Sequence, residues 1–91
     1  MIIRILGEGQ YKLDDSEHDQ IASLDAELGD AVDKNDDARF QAALRGALAL
    51  VRTGTKVPAD TLEPSDLILP REGASLDEVR KLLAEDGISL G

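Results

Sequence analysis

The sequence contains no cysteine and no tryptophan, and its only aromatic side chains are Tyr11 and Phe40. Without cysteine there are no disulfides and no thiolate metal sites. With so few aromatic residues, a core must consist mainly of leucine, isoleucine, valine and alanine, and we expect ordinary rather than high stability. These absences predict a small soluble domain with an aliphatic core.

Long apolar runs are also missing. The run from Ile2 to Leu6 is interrupted by Arg4, and no basic segment precedes it. Such a run is far too short to direct export or to span a bilayer. We therefore expect a cytoplasmic protein with no direct membrane insertion.

Positive charge is scarce, because 10 basic residues face 19 acidic ones and the net charge is −9. The overall field would repel nucleic acids and anionic bilayers, so neither is expected as a partner. Residues 1–37 carry eleven acidic residues against three basic ones, whereas residues 38–71 carry five basic against three acidic. The acidic part is typical of a solvated surface, and the alternative is a docking face for a basic partner.

The residues needed for catalysis are few and poorly spaced. His18 is the only histidine, so a common zinc site would lack a second imidazole ligand. Of the five serines, Ser16, Ser65 and Ser75 fall at predicted turns or helix caps, and none of these three is spaced to use His18 as a base. The sequence predicts a protein that is not an enzyme and has no cofactor.

Two partial binding motifs fail on their missing positions. Gly7-x-Gly9 begins like a dinucleotide fingerprint, but Lys12 stands where a third glycine is required. Asp33-x-Asn35-x-Asp37 begins like a calcium loop, but Ala38 and Leu44 replace the glycine and glutamate that the loop needs. A turn and a helix terminus explain these residues better.

The N-terminal segment predicts a β-hairpin over residues 2–13. Two β-favouring runs flank Gly7-Glu8-Gly9, whose glycines permit the positive φ of a tight reversal. Further on, residues 67–69 read as a short strand that ends at Pro70. Because proline cannot donate a hydrogen bond to a ladder, we expect this strand at an edge of the sheet.

Two helices follow the hairpin. Apolar residues at Ile21, Leu24, Leu28, Ala31 and Val32 trace one face of the first. Asp36 or Asp37 caps the second, in which residues 47–51 are apolar on nearly all sides, so this helix is predicted to be buried on several sides or to share its exposed face with a partner. The short break at residues 33–37 predicts an antiparallel α-hairpin.

Charges and caps complete the helical predictions. Arg39, Arg45 and Arg52 on the second helix are expected to offset carboxylates on the first. Ser75 and Glu78 form a capping box for a C-terminal helix with Leu82 and Leu83 on its apolar face. Gly87 is predicted to end that helix, and Ile88 and Leu90 to fold back on the core.

These elements predict one α+β domain over residues 1–91. A small antiparallel sheet of two or three strands, made by the hairpin and the possible strand at 67–69, packs on the α-hairpin and the C-terminal helix.

Two segments together carry a family resemblance. They are Ile3-Arg4-Ile5-Leu6-Gly7-Glu8-Gly9-Gln10-Tyr11-x-Leu13 and Glu63-Pro64-Ser65-Asp66-Leu67-x-Leu69-Pro70. This pattern resembles the PspA-associated domain family, PspAA, over essentially the whole chain. The resemblance implies an accessory protein of the phage-shock envelope-stress response, whose partner is a PspA-like coiled-coil protein that protects membranes. The signature residues, which either contact a partner or build the fold, are Gly7, Glu8, Gly9, Gln10, Tyr11, Pro64, Ser65, Asp66 and Pro70.

Two hypotheses for function follow. In the first, the domain is an interaction module that binds the PspA-like protein and reaches the inner face of the membrane only through it. In the alternative, it is a structural self-association domain that forms a homodimer through the strand edge left by the hairpin.

Overall fold

Secondary structure follows the predicted order of a hairpin, two helices, a short strand and a C-terminal helix. The computed structural model describes residues 1–61 and 63–86, with side chains omitted for residues 82–86. The predictions for Leu82, Leu83, Gly87, Ile88 and Leu90 lie outside what is described. The elements are β1 (Ile2–Ile5), β2 (Gly9–Lys12), a 3-10 turn (Asp15–Glu17), α1 (His18–Asp33), α2 (Asp37–Arg52), β3 (Thr55–Lys56), β4 (Leu67–Leu69) and α3 (Leu76–Asp86).

The predicted hairpin is confirmed. Strands β1 and β2 are antiparallel, with Ile3 opposite Tyr11 and Ile5 opposite Gly9. The Glu8 N–H donates to the Ile5 carbonyl at 3.0 Å and closes the turn. Gly7 has a φ of +79°, which the third residue of such a turn adopts without strain only if it is glycine.

The sheet differs from the prediction in strand number and direction. It has four strands in the order β3-β2-β1-β4, and β4 runs parallel to β1. The direction is set at the start of β4, where the Asp66 N–H donates to the Ile2 carbonyl at 2.7 Å and the Ile2 N–H donates to Asp66 Oδ2 at 2.8 Å. The sheet is therefore mixed, and β4 lies at its edge as predicted.

Strand β3 has no counterpart among the elements predicted from the sequence. It has only two residues, Thr55 and Lys56, both exposed, so no alternation of apolar and polar residues marks it. It pairs antiparallel with β2. Both edges of the hairpin are thus paired within the chain, and the free edge invoked for self-association is instead offered by β3 and β4.

The core lies between one face of the sheet and the helices, which confirms the α+β class. Alternate residues of the strands, including Ile3, Ile5 and Leu69, are fully buried on this inner face. Helix α2 contributes more buried side chains than α1. Those of α2 are Phe40, Ala43, Leu44, Ala47, Leu48 and Val51, and those of α1 are Ile21, Leu28, Ala31 and Val32.

The α-hairpin is confirmed, and a side chain caps the start of its second helix. Asp36 accepts a hydrogen bond from the Arg39 N–H at 3.2 Å and is the cap of α2. Arg39 then reaches α1 and pairs with Glu27 and Asp30, as predicted for this arginine.

The N-terminus of α3 forms only half of the predicted capping box. Ser75 Oγ accepts from the Glu78 N–H at 3.1 Å. The Glu78 carboxylate does not return to the cap but pairs with Arg71 through two contacts of 2.7 Å. An arginine offers two aligned donors, so this pairing replaces the usual backbone contact.

At Gly54, the backbone that follows α2 lies very close to the backbone of β2. A β-carbon at Gly54 would overlap the backbone carbonyl of Lys12, which has no flexible end that could yield. Glycine is required here by close approach of two backbone segments.

We expect Gly54→Ala to lower the free energy of unfolding by about 2 kcal/mol, because a backbone clash forces the α2–β3 turn to shift. The matched control is Gly46→Ala in the interior of α2. A β-carbon there would lie 3.4 Å from Leu24 Cδ2, the end of a flexible side chain. Helix propensity then favours alanine by up to about 1 kcal/mol. Urea denaturation of both variants tests this, and equal stability of the two would contradict it.

Candidate functional site

The signature residues lie on two segments that the fold brings together. Gly7 to Tyr11 form the hairpin turn and most of β2, and Pro64 to Asp66 lead into β4. Pro70 directly follows β4 and is buried. Every polar side chain in this set has a hydrogen-bond partner within the chain.

The carboxylate of Glu8 is the centre of the first cluster. Tyr11 donates its hydroxyl to Glu8 Oε2 at 2.7 Å. Arg52 donates to both oxygens, from Nε at 3.0 Å and from Nη2 at 2.6 Å. Arg52 also lies 3.6 Å from a carboxylate oxygen of Glu72. Helix α2 is thereby fixed to the hairpin turn by a charge-assisted bidentate contact.

These contacts change the acidity of the groups involved. The hydrogen bonds from Arg52 and then from Tyr11 lower the pKa of Glu8 from 4.5 to about 2. The same hydrogen bond to Glu8 raises the pKa of the Tyr11 phenol above its ordinary value. Glu8 is therefore fully ionised at neutral pH, and its charge is balanced by Arg52.

The role of Arg52 was not predicted from the sequence. It was predicted to face the carboxylates of α1, but it pairs with the hairpin and with Glu72 instead. Arg45, for which the same was predicted, makes no ion pair with any residue in the described ranges. The spacing of the arginines along α2 does not indicate which of them faces the sheet.

Gln10 is the centre of the second cluster and is 6% exposed. Its Nε2 donates to the Glu63 carbonyl at 2.7 Å and to Ser65 Oγ at 2.8 Å. Its backbone carbonyl accepts from the Val57 N–H at 2.9 Å. One residue of β2 thus holds both ends of the segment that connects β3 to β4.

The signature residues are accordingly engaged in building the fold. Gly7 allows the turn, and the side chains of Glu8, Gln10, Tyr11, Ser65 and Asp66 bond within the chain. Their contact with a partner stays a prediction.

Helix α2 presents an exposed face made mainly of small residues. We call it the α2 stripe, and its residues are Ala38, Ala42, Arg45, Gly46 and Ala49. Four of them follow one another at steps of four, three and four, which is the spacing of a coiled-coil seam. The half-buried Leu24 of α1 borders the stripe beside Gly46.

The face of the sheet that points away from the core carries basic residues. Arg4 lies opposite Gln10, and Lys12 lies opposite Ile2. Lys56 differs from these two, because it pairs with Tyr11 and its side chain therefore lies on the core side of the sheet edge, with Nζ 5.9 Å from the centre of the Tyr11 ring. None of these three forms an ion pair with a residue in the described part of the chain.

Two cavities open on the sheet. One, of about 300 Å³, is lined by Arg4, Glu8, Gly9, Gln10, Lys56, Val57, Pro58, Ala59 and Thr61. The other, of about 390 Å³, lies at the opposite end of β2 and is lined by Lys12, Leu13, Asp14, Glu17, Thr53, Gly54 and Thr55. Neither brings together a nucleophile and the histidine, since His18 is exposed and its Nδ1 lies 3.5 Å from Asp19.

Two further findings concern residues 1–61 and 63–86. No group of three or more potential ligands is placed to hold a metal ion there. Within the same residues, none of the helices combines the length and the apolar character needed to cross a bilayer.

The fold and the hydrogen-bonded signature residues define a small α+β domain. A family model described as PspA-Associated protein matches residues 1–91, the whole chain. The chain belongs to the PspA-associated protein family, which confirms the resemblance and links the protein to PspA. No curated protein and no solved structure matched the chain.

We expect Glu8→Gln to lower the free energy of unfolding by about 1 kcal/mol at pH 7, because it removes a well-aligned but partly exposed ion pair. The pKa of Glu8 is about 2 in the folded protein and 4.5 ordinarily. The ion pair therefore makes its full contribution to the free energy of unfolding at pH values above 4.5. It is lost as the pH falls from 4.5 through 2, so the stability difference between the two proteins shrinks over that range.

The control is Glu63→Gln, which removes an exposed carboxylate that has no ion pair with a described residue. Thermal unfolding of all three proteins from pH 7 to pH 2.5 provides the measurement. A difference between Glu8→Gln and the parent that stays constant with pH would show that the ion pair does not stabilise the fold.

Proposed function

We propose that this protein is a non-enzymatic interaction module of the phage-shock envelope-stress response, which binds a PspA-like coiled-coil protein. The observation that carries the proposal is the family match over all 91 residues. It acts in the cytoplasm and meets the inner face of the membrane only through its partner.

The α2 stripe is the surface that best suits a helical partner. Alanine and glycine let a second helix approach closely, so that its side chains can pack between those of α2. Alanine also has no rotamer freedom to lose on binding, which keeps the entropic cost of association low. A partner helix placed there would extend the α-hairpin into a three-helix layer.

The charges around the stripe are compatible with such a partner. Arg45 lies in the middle of the stripe without an ion pair to a described residue, so a carboxylate at a flanking position of a coiled coil would complement it. The sheet lies on the other side of α2 and is not needed for this contact.

The test is size-exclusion chromatography with light scattering, on the chain alone, on the PspA-like protein from the same source, and on their mixture. We expect a new peak whose mass equals a sum of both proteins. A mixture that elutes as the two separate components would overturn the proposal. A concentration series on the chain alone tests self-association, and a stable dimer without a mixed complex would favour that alternative.

Substitutions locate the contact. We expect Ala42→Glu to weaken binding by at least about tenfold, because it places a charge in a close helix–helix contact. The matched control is Ala22→Glu, an exposed alanine of α1 on the side away from α2, which changes net charge equally. Calorimetric titration of both variants checks this. Equal affinity of the two would remove the α2 stripe as the contact face while leaving the partner in place.

A further inference from the structure

We draw no further inference here: the strongest candidate, the edge of the sheet at strand β4, carries nothing further because nothing in the described part of the chain shows what covers it.

Discussion

The buried amide of Gln10 is the contact on which the arrangement of the sheet depends. The backbone carbonyl of Gln10 accepts from the Val57 N–H at the start of the β3–β4 connection, and its side-chain Nε2 donates to the Glu63 carbonyl and to Ser65 Oγ near the end. Asp66 then exchanges two hydrogen bonds with Ile2, which starts β4 alongside β1 in parallel. A buried amide that is satisfied in this way fixes a connection more specifically than an apolar contact, because losing a partner leaves a polar group without compensation.

Sequence patterns predicted the elements that are determined locally. The hairpin turn follows from the glycine spacing, the α-hairpin from apolar periodicity and the Asp36 cap, and the edge position of β4 from Pro70. Contacts between distant parts of the chain determine the rest. Strand β3 is two exposed residues without alternation, and the parallel direction of β4 comes from a contact with the first strand across 64 positions. No local sequence pattern predicts either feature.

In the candidate site, too, local features could be predicted from the sequence and long-range contacts could not. The signature Gly7 to Tyr11 and Pro64 to Asp66 could be read from sequence, but the pairing of Gln10 with Ser65 and of Glu8 with Arg52 required the fold. The signature residues therefore hold the two edge strands and the cavity wall in place. The exposed α2 stripe lies on a separate surface of this frame, and it carries no recognisable motif.

The most direct test of this account is the affinity of Asp66→Ala for the PspA-like partner, at a temperature where the variant is folded. The Asp66 carboxylate accepts a hydrogen bond from the Ile2 N–H, and a hydrogen bond of this kind typically contributes about 1 kcal/mol. We therefore expect the variant to lose about that much free energy of unfolding. If the signature builds the frame, the folded variant binds the partner with the affinity of the parent and melts at a lower temperature. Lost binding with unchanged stability would contradict the account and make Asp66 part of the contact surface.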